Sequence, residues 1–291
     1  MDWVLGVVGG SGLDQIDGLT DVRQERVEGP FGPPSDLLTF GRIGETRVVF
    51  LPRHGRGHRH NPSEINYKAN IDALKRAGCS DLLSLSAVGS LREDLSPGTF
   101  VIVDQFVDRT FARATTFFAE GIVAHVSMAR PVCPRLAGFA AEAARAAGAP
   151  VAEGGTYLAM EGPQFSTRAE SDLYRSWGCD VIGMTNMPEA KLAREAELPY
   201  ASVCMVTDYD CWRDQGEAVE VGAILAVVRD NAARARAVVR GVAARLTGER
   251  TASPIDTNLD YAVITSPEAR DPEAVRRLDA VAGRVLRDRG L

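Results

Sequence analysis

The sequence predicts an α/β fold on three observations. Short β-rich runs recur along the chain, helical stretches separate them, and several runs are apolar on both faces, as strands inside a sheet are. The runs in order are WVLGVVG (3–9), RVVFLP (47–52), DLLSLSA (81–87), TFVIVD (99–104), GTYLAME (155–161), DVIGMT (180–185) and ASVCMVT (201–207). Between them, PRLAGFAAEAARAAG (134–148) opens on proline and closes on glycine, the residues that start and stop helices. SDLYRSWG (171–178) and PEAKLAREAEL (188–198) also read as helices. From Val221 to Leu246, the residues Ile224, Val228, Ala232, Ala235, Val239, Val242 and Leu246 recur at three- and four-residue steps, which predicts an amphipathic helix of several turns. A polar linker, GERTASPIDTN (248–258), precedes a last helix expected over 272–287. With 291 residues the chain can bury a large core as one domain, so a single domain over 1–291 is expected, with linker and C-terminal helix filling 248–291.

Composition narrows the function. A net charge of −6 argues against an extended nucleic-acid surface, because phosphate tracking needs a basic stripe. No apolar run approaches the roughly 18 residues that span a bilayer, and MDWVLGVVGG lacks the basic start of a secretory signal. Five cysteines, Cys79, Cys133, Cys179, Cys204 and Cys211, are scattered with no C-x-x-C pair, which fits a reducing compartment rather than disulfides or a zinc ribbon. A cytoplasmic location is expected.

Against this acidic background, RHGRGHRH (53–60) packs three arginines and three histidines into eight positions. His54, His58 and His60 raise the question of a metal, but Arg53, Arg56 and Arg59 would set positive charge beside a dication. Their guanidiniums match phosphate geometry, so a small anion is the better reading, with Arg56 and Arg59 expected to be solvated. VVGGSGLD (7–14) is a strand followed by a glycine turn with Ser11 at its tip, able to bring amides to an anion. It lacks the third glycine of the dinucleotide fingerprint and the G-K-[ST] of a P-loop, and alone reads equally as a tight turn.

Two further strand ends attract attention, because ligands in α/β folds gather at the carboxyl ends of strands. Ser86, with the amides after it, sits at one; Thr185, able to cap a helix or bind a ligand, sits at the other. In MVTDYDCW (205–212), Asp208 and Asp210 stand two apart, so on an extended segment both point the same way. Such a pair can hold Mg²⁺ or Mn²⁺ for a nucleotide-sugar transferase, form a surface turn, or grip a ring bearing an amino group and a basic nitrogen. A carboxyl desolvated against Trp212 or Phe165 would rise in pKa and serve as a general acid.

Taken in order, GGSGLD, PRHGRGH, NYKANI, SAVGSLRED, DQFVDRT, MEGPQFSTRAES, MTNMPEAKLARE and TDYDCW resemble the trimeric purine nucleoside phosphorylase family, in the branch that acts on 5′-deoxy-5′-methylthioadenosine. The resemblance runs from Val4 to about Asn231 and fades beyond. It implies a central mixed β-sheet, a partly closed barrel, surrounded by helices. It implies phosphorolysis of the nucleoside to adenine and 5-methylthioribose 1-phosphate, in purine and methionine salvage, with phosphate as co-substrate and neither metal nor organic cofactor. Partners would be the nucleoside, phosphate and two further copies of the chain, not nucleic acid or membrane. Carried over residue by residue, Ser11, Arg53, His54, Ser86, the Ala87 amide and Thr185 would bind phosphate. Met184 would meet the ribose and Phe165 the base, while Asp208 meets N7 and Asp210 the exocyclic amine. Val221 and Ile224 would form the 5′ pocket, with His125 delivered by a neighbouring subunit. Family branches that prefer 6-oxopurines place asparagine where Asp208 stands, so the aspartate implies a 6-aminopurine. The sequence alone leaves room for other 5′-modified adenosines, such as 5′-deoxy or 5′-halo forms, for a broader purine nucleoside phosphorylase, or for a binding module without catalysis. His58 and His60 gain no assigned chemistry.

Overall fold

The computed structural model describes residues 2–10, 18–119, 121–213 and 221–287. Eleven strands share one mixed sheet: β1 (Val4–Gly9), β2 (Thr20–Glu25), β3 (Leu38–Ile43), β4 (Thr46–Pro52), β5 (Asp81–Ser90), β6 (Phe100–Val103), β7 (Gln105–Asp108), β8 (Val151–Glu153), β9 (Thr156–Ala159), β10 (Val181–Gly183) and β11 (Tyr200–Asp208). Seven α-helices accompany them among the described residues: α1 (Tyr67–Arg76), α2 (Pro134–Ala146), α3 (Arg168–Ser176), α4 (Asn186–Glu195), α5 (Val221–Ala243), α6 (Pro272–Arg277) and α7 (Asp279–Arg287).

The sheet branches at β5. Its N-terminal half lies between β1 and β11, both parallel to it, and its last residues pair antiparallel with β10. One arm continues from β11 through β6 to β8, the other from β10 through β9 to β7. The ladder does not close on itself, but the chain joins the arms: β6 runs into β7 at Asp104, and β8 into β9 at Gly154 and Gly155, whose positive φ values permit the bend. The sheet itself stays open, so of the expected partly closed barrel the structure bears out the single mixed sheet surrounded by helices and not a closure.

Both faces are covered, which is why the central strands are buried along nearly their whole length. In β1, Val4 and Val8 face a core shared with α1, α4 and α7, while Leu5 and Val7 face one shared with α2 and α5.

Every strand expected from sequence is present, and β5 and β11 are longer than expected. β2, β3, β7, β8 and α1 were not expected. β2 is exposed along its whole length, so no burial pattern marks it as a strand. The last helix is two, α6 and α7, broken at Leu278. The linker is not free: Arg250 is buried against Asp81 (2.8 Å) and Asp256 (2.7 Å), which pins the segment to the start of β5. Among the described residues, no helix is long and apolar enough to cross a membrane.

Candidate active site

The parallel strands aim their carboxyl ends at one place. Gly9 lies beside Pro52 in register, and the Arg53 amide donates to the Gly9 carbonyl (2.9 Å), so the end of β1 and the start of the basic loop lie side by side. Across β5, Cys204 pairs with Ser86 and Asp208 with Gly89. These ends open into a cavity of about 590 Å³, lined among others by Arg53, His54, Ser86, Ala87, Phe165, Met184, Thr185, Asp208 and Asp210. Nine of the thirteen residues expected from sequence therefore meet in one cavity. Ser11 lies outside the described residues, and for Val221 and Ile224 only the backbone, at the start of α5, is described. His125 is exposed and does not line its own chain's cavity. Neither does any residue of the C-terminal segment over 248–287.

At the basic end, the structure corrects the reading of Arg53 as a free fork for phosphate. Its side chain is 1% exposed and bonds Glu189 twice (2.7 and 2.9 Å), Ser84 Oγ (2.7 Å) and the Leu85 carbonyl (3.2 Å). One guanidinium hydrogen remains, so Arg53 can offer a single bond and not a bidentate clamp. Glu189 also accepts from Ser84 (2.8 Å) and Tyr200 (3.0 Å), so the buried carboxylate is well compensated. The histidines do not converge on a point. The rings of His54 and His58 stack at 4.0 Å, and His54 Nδ1 lies 2.9 Å from the backbone carbonyl of His60. Burial pushes the His54 imidazole down to about 4, and Arg53 adds to the drop. Arg56 and Arg59 are solvated, as expected, and flank Asp36 at 4.0 and 3.9 Å.

The hydroxyls of Ser86 and Thr185 stand 3.4 Å apart, both nearly buried. Thr185 precedes α4, yet its side chain makes no capping bond, which leaves the hydroxyl to the cavity. Its backbone N–H donates to Tyr157 Oη (3.2 Å). Gly183 permits this arrangement, since a Cβ there would come within 2.2 Å of the Tyr157 oxygen.

At the other end, Asp208 and Asp210 are not two residues of an extended segment. The pairing of β11 with β5 is irregular between Val206 and Asp208, and Asp210 adopts a left-handed conformation (φ 53°) in a turn held by its N–H to Asp208 Oδ1 (2.8 Å). Both carboxyls nonetheless line the cavity. Burial raises each above the usual carboxylate range; Asp208 adds to the rise at Asp210, and the neighbouring Ser171 hydroxyl tempers it. Asp210 Oδ2 is buried without a well-formed hydrogen bond, so it awaits a donor. Thr207 Oγ1 lies 2.7 Å from Asp208 Oδ2 and 3.2 Å from the Val88 carbonyl. Its one proton goes to Asp208 when that carboxyl is ionised; when Asp208 is protonated, Thr207 accepts and donates to Val88 instead. The turn therefore accommodates both protonation states.

Sequence reasoning missed Thr207, which lines the cavity, and several residues behind its surface. Tyr157 and Ser84 lie within strands, and Glu189 and Thr207 fall inside MTNMPEAKLARE and TDYDCW without an assigned role, although the question of which acid balances Arg53 points to Glu189. Arg113, 1% exposed, donates to the carbonyls of Met160, Glu161, Met184 and Met187 (2.8 Å for Met187), fixing two walls of the cavity at once.

Comparison with known proteins bears on this geometry. A family model described as the phosphorylase superfamily matches residues 4–244. S-methyl-5′-thioadenosine phosphorylase of Cereibacter sphaeroides is 60% identical over 289 residues, 99% of this chain and 100% of that one, so the similarity extends through the C-terminal segment. The enzyme of the same name from Geobacter sulfurreducens is 53% identical over 97% of this chain and 99% of its own length. Among solved structures, a methylthioadenosine phosphorylase sourced from an antarctic soil metagenomic library superposes with a TM-score of 0.91 at 45% identity, covering 96% of this chain and 99% of that one. Methylthioadenosine phosphorylase from Schistosoma mansoni in complex with adenine gives 0.85 at 37% identity, covering 93% and 99%.

Proposed function

The chain belongs to the phosphorylase superfamily, in the S-methyl-5′-thioadenosine phosphorylase family, and on that premise we propose that it cleaves 5′-deoxy-5′-methylthioadenosine with phosphate, giving adenine and 5-methylthioribose 1-phosphate. The observation that carries this reading is the pairing, within one cavity, of a hydroxyl-lined end at Ser86 and Thr185 with two partly buried carboxyls at Asp208 and Asp210.

Breaking the N-glycosidic bond leaves negative charge on the purine and positive charge on the ribosyl carbon. Asp208, held toward its protonated form by burial, supplies a proton at N7, and Asp210 Oδ2 accepts from the exocyclic amine. Phosphate, bound by Arg53, His54, Ser86, the Ala87 amide, Thr185 and Ser11, stabilises the cation and then captures it. Met184 supports the ribose, and Phe165, half-exposed at the cavity, covers the base. A 6-oxopurine offers Asp210 a carbonyl where it needs a donor, so rejection on the order of 10⁴-fold is expected.

The working form we propose is one phosphorylase domain assembled as a cytoplasmic homotrimer in purine and methionine salvage, needing no metal or organic cofactor. Val221 and Ile224 would form the 5′ pocket, closed by His125 of a neighbouring copy. His125 is exposed next to Val123, and the backbone there bonds to the segment that carries the exposed Tyr261 and Ile264, an apolar face suited to a subunit contact. The test is adenine release from purified protein with and without phosphate. Release that needs phosphate and persists in EDTA is expected; EDTA-sensitive turnover would point to the metal-dependent transferase reading instead.

A further inference from the structure

We infer that the phosphate site selects an anion that carries a proton, through His54 Nε2, and so discriminates phosphate from sulfate. The inference rests on His54 facing phosphate, as proposed above. A carbonyl only accepts, so the 2.9 Å contact to the His60 carbonyl places the ring proton of His54 on Nδ1. The backbone locks that choice from both sides, because the His60 N–H donates in turn to the His54 carbonyl (3.1 Å). A neutral ring protonated on Nδ1 keeps a lone pair on Nε2. Burial favours that neutral state, and the His58 ring stacked at 4.0 Å adds an aromatic face rather than a counter-anion that would recruit a second proton.

The charges around the site point the same way. Arg53 is matched by Glu189 at 2.7 Å, and Arg59, the other cavity-lining arginine, lies 3.9 Å from Asp36. Glu64 also lines the cavity. The described walls therefore give an incoming dianion little net positive charge and rely on hydrogen bonds from Ser86 and Thr185. An unprotonated oxygen set against His54 Nε2 would place one lone pair against another. A P–OH group in the same position donates to Nε2 and turns the repulsion into a bond. Both ionic forms of phosphate near neutral pH carry such a hydroxyl, whereas sulfate carries none.

The test is steady-state adenine release from methylthioadenosine, giving KM for inorganic phosphate and the competitive Ki for sulfate, in the wild type and in His54→Gln. The Gln carboxamide can turn either its oxygen or its NH2 to the anion, so it pairs with a P–OH or with an unprotonated oxygen and no longer tells them apart. In the wild type, sulfate is expected to bind about 10- to 100-fold more weakly than phosphate, the range that an unpaired buried polar group commands. In His54→Gln the ratio should shrink to within about threefold, chiefly through a fall in the Ki for sulfate, because the ambivalent carboxamide gives the unprotonated anion a donor that the Nε2 lone pair denies it. A wild-type Ki for sulfate equal to the phosphate KM overturns the inference, and that measurement needs no variant to fold. An unchanged ratio in His54→Gln, its fold checked by thermal melting, also overturns it. Absence of phosphate-dependent adenine release in the wild type would remove the proposed function itself, and this inference with it.

Discussion

At the basic-loop end of the cavity, Arg53 is buried against Glu189, Ser84 and a carbonyl; at the opposite end, Asp208 and Asp210 are partly buried beside hydroxyls and backbone amides. The first end rests on a network whose charges balance. The second holds two acids side by side, both raised by burial. A balanced network fixes geometry, whereas partly buried acids with no cation among the described residues that shift them store the tendency to hold or give up a proton. Positioning and proton transfer are thus assigned to opposite ends of one cavity, and the contrast can be broken from either side.

The largest expected effect is at the carboxylate end. Asp208→Asn removes the proton donor, and turnover of methylthioadenosine should fall by about 10² to 10⁴-fold with a smaller change in KM. At the other end, Glu189→Gln strips the counter-charge from a buried arginine. It should cost about 3–5 kcal/mol of folding stability by urea denaturation, the range for breaking a buried pair. A loss below about 1 kcal/mol would mean that Arg53 is not held as described.

Stability against pH separates the two ends by sign. Asp210 has a folded pKa above its unfolded value, so its favourable contribution is full below about pH 4 and is lost as pH rises through the raised folded value. Asp210→Asn should therefore raise the melting temperature at neutral pH, lose that advantage in acid, and lower activity throughout. Stabilisation at the expense of activity is the signature expected of a strained functional site.

Two smaller effects probe residues that support the two ends. Thr207→Val, which cannot exchange its bond between Asp208 and Val88, should slow turnover by roughly 5- to 10-fold, and Thr207→Ser should restore most of it. Tyr157→Phe removes the hydroxyl that receives the Thr185 amide; it should weaken phosphate binding by about 1 kcal/mol while leaving the Ki for adenine unchanged.

What the sequence showed follows from how these two ends are built. The strands were legible because they are apolar on both faces, and the cavity residues because Arg53, Ser86, Thr185 and Asp208 sit at strand ends. β2 was not legible, since an exposed polar strand carries no burial signal. The role of Arg53 was half legible: its charge shows in the sequence, but its partner Glu189 is 136 residues away and becomes visible only when the sheet brings them together. The left-handed turn at Asp210 and the irregular pairing before Asp208 are likewise backbone features that no spacing of carboxylates reveals.

The central claim is that Asp208 and Asp210 together read a 6-aminopurine. Specificity constants for methylthioadenosine and methylthioinosine, measured side by side at saturating phosphate, test it most directly. A preference for methylthioadenosine on the order of 10⁴-fold is predicted; equal rates, or a preference for methylthioinosine, would contradict it.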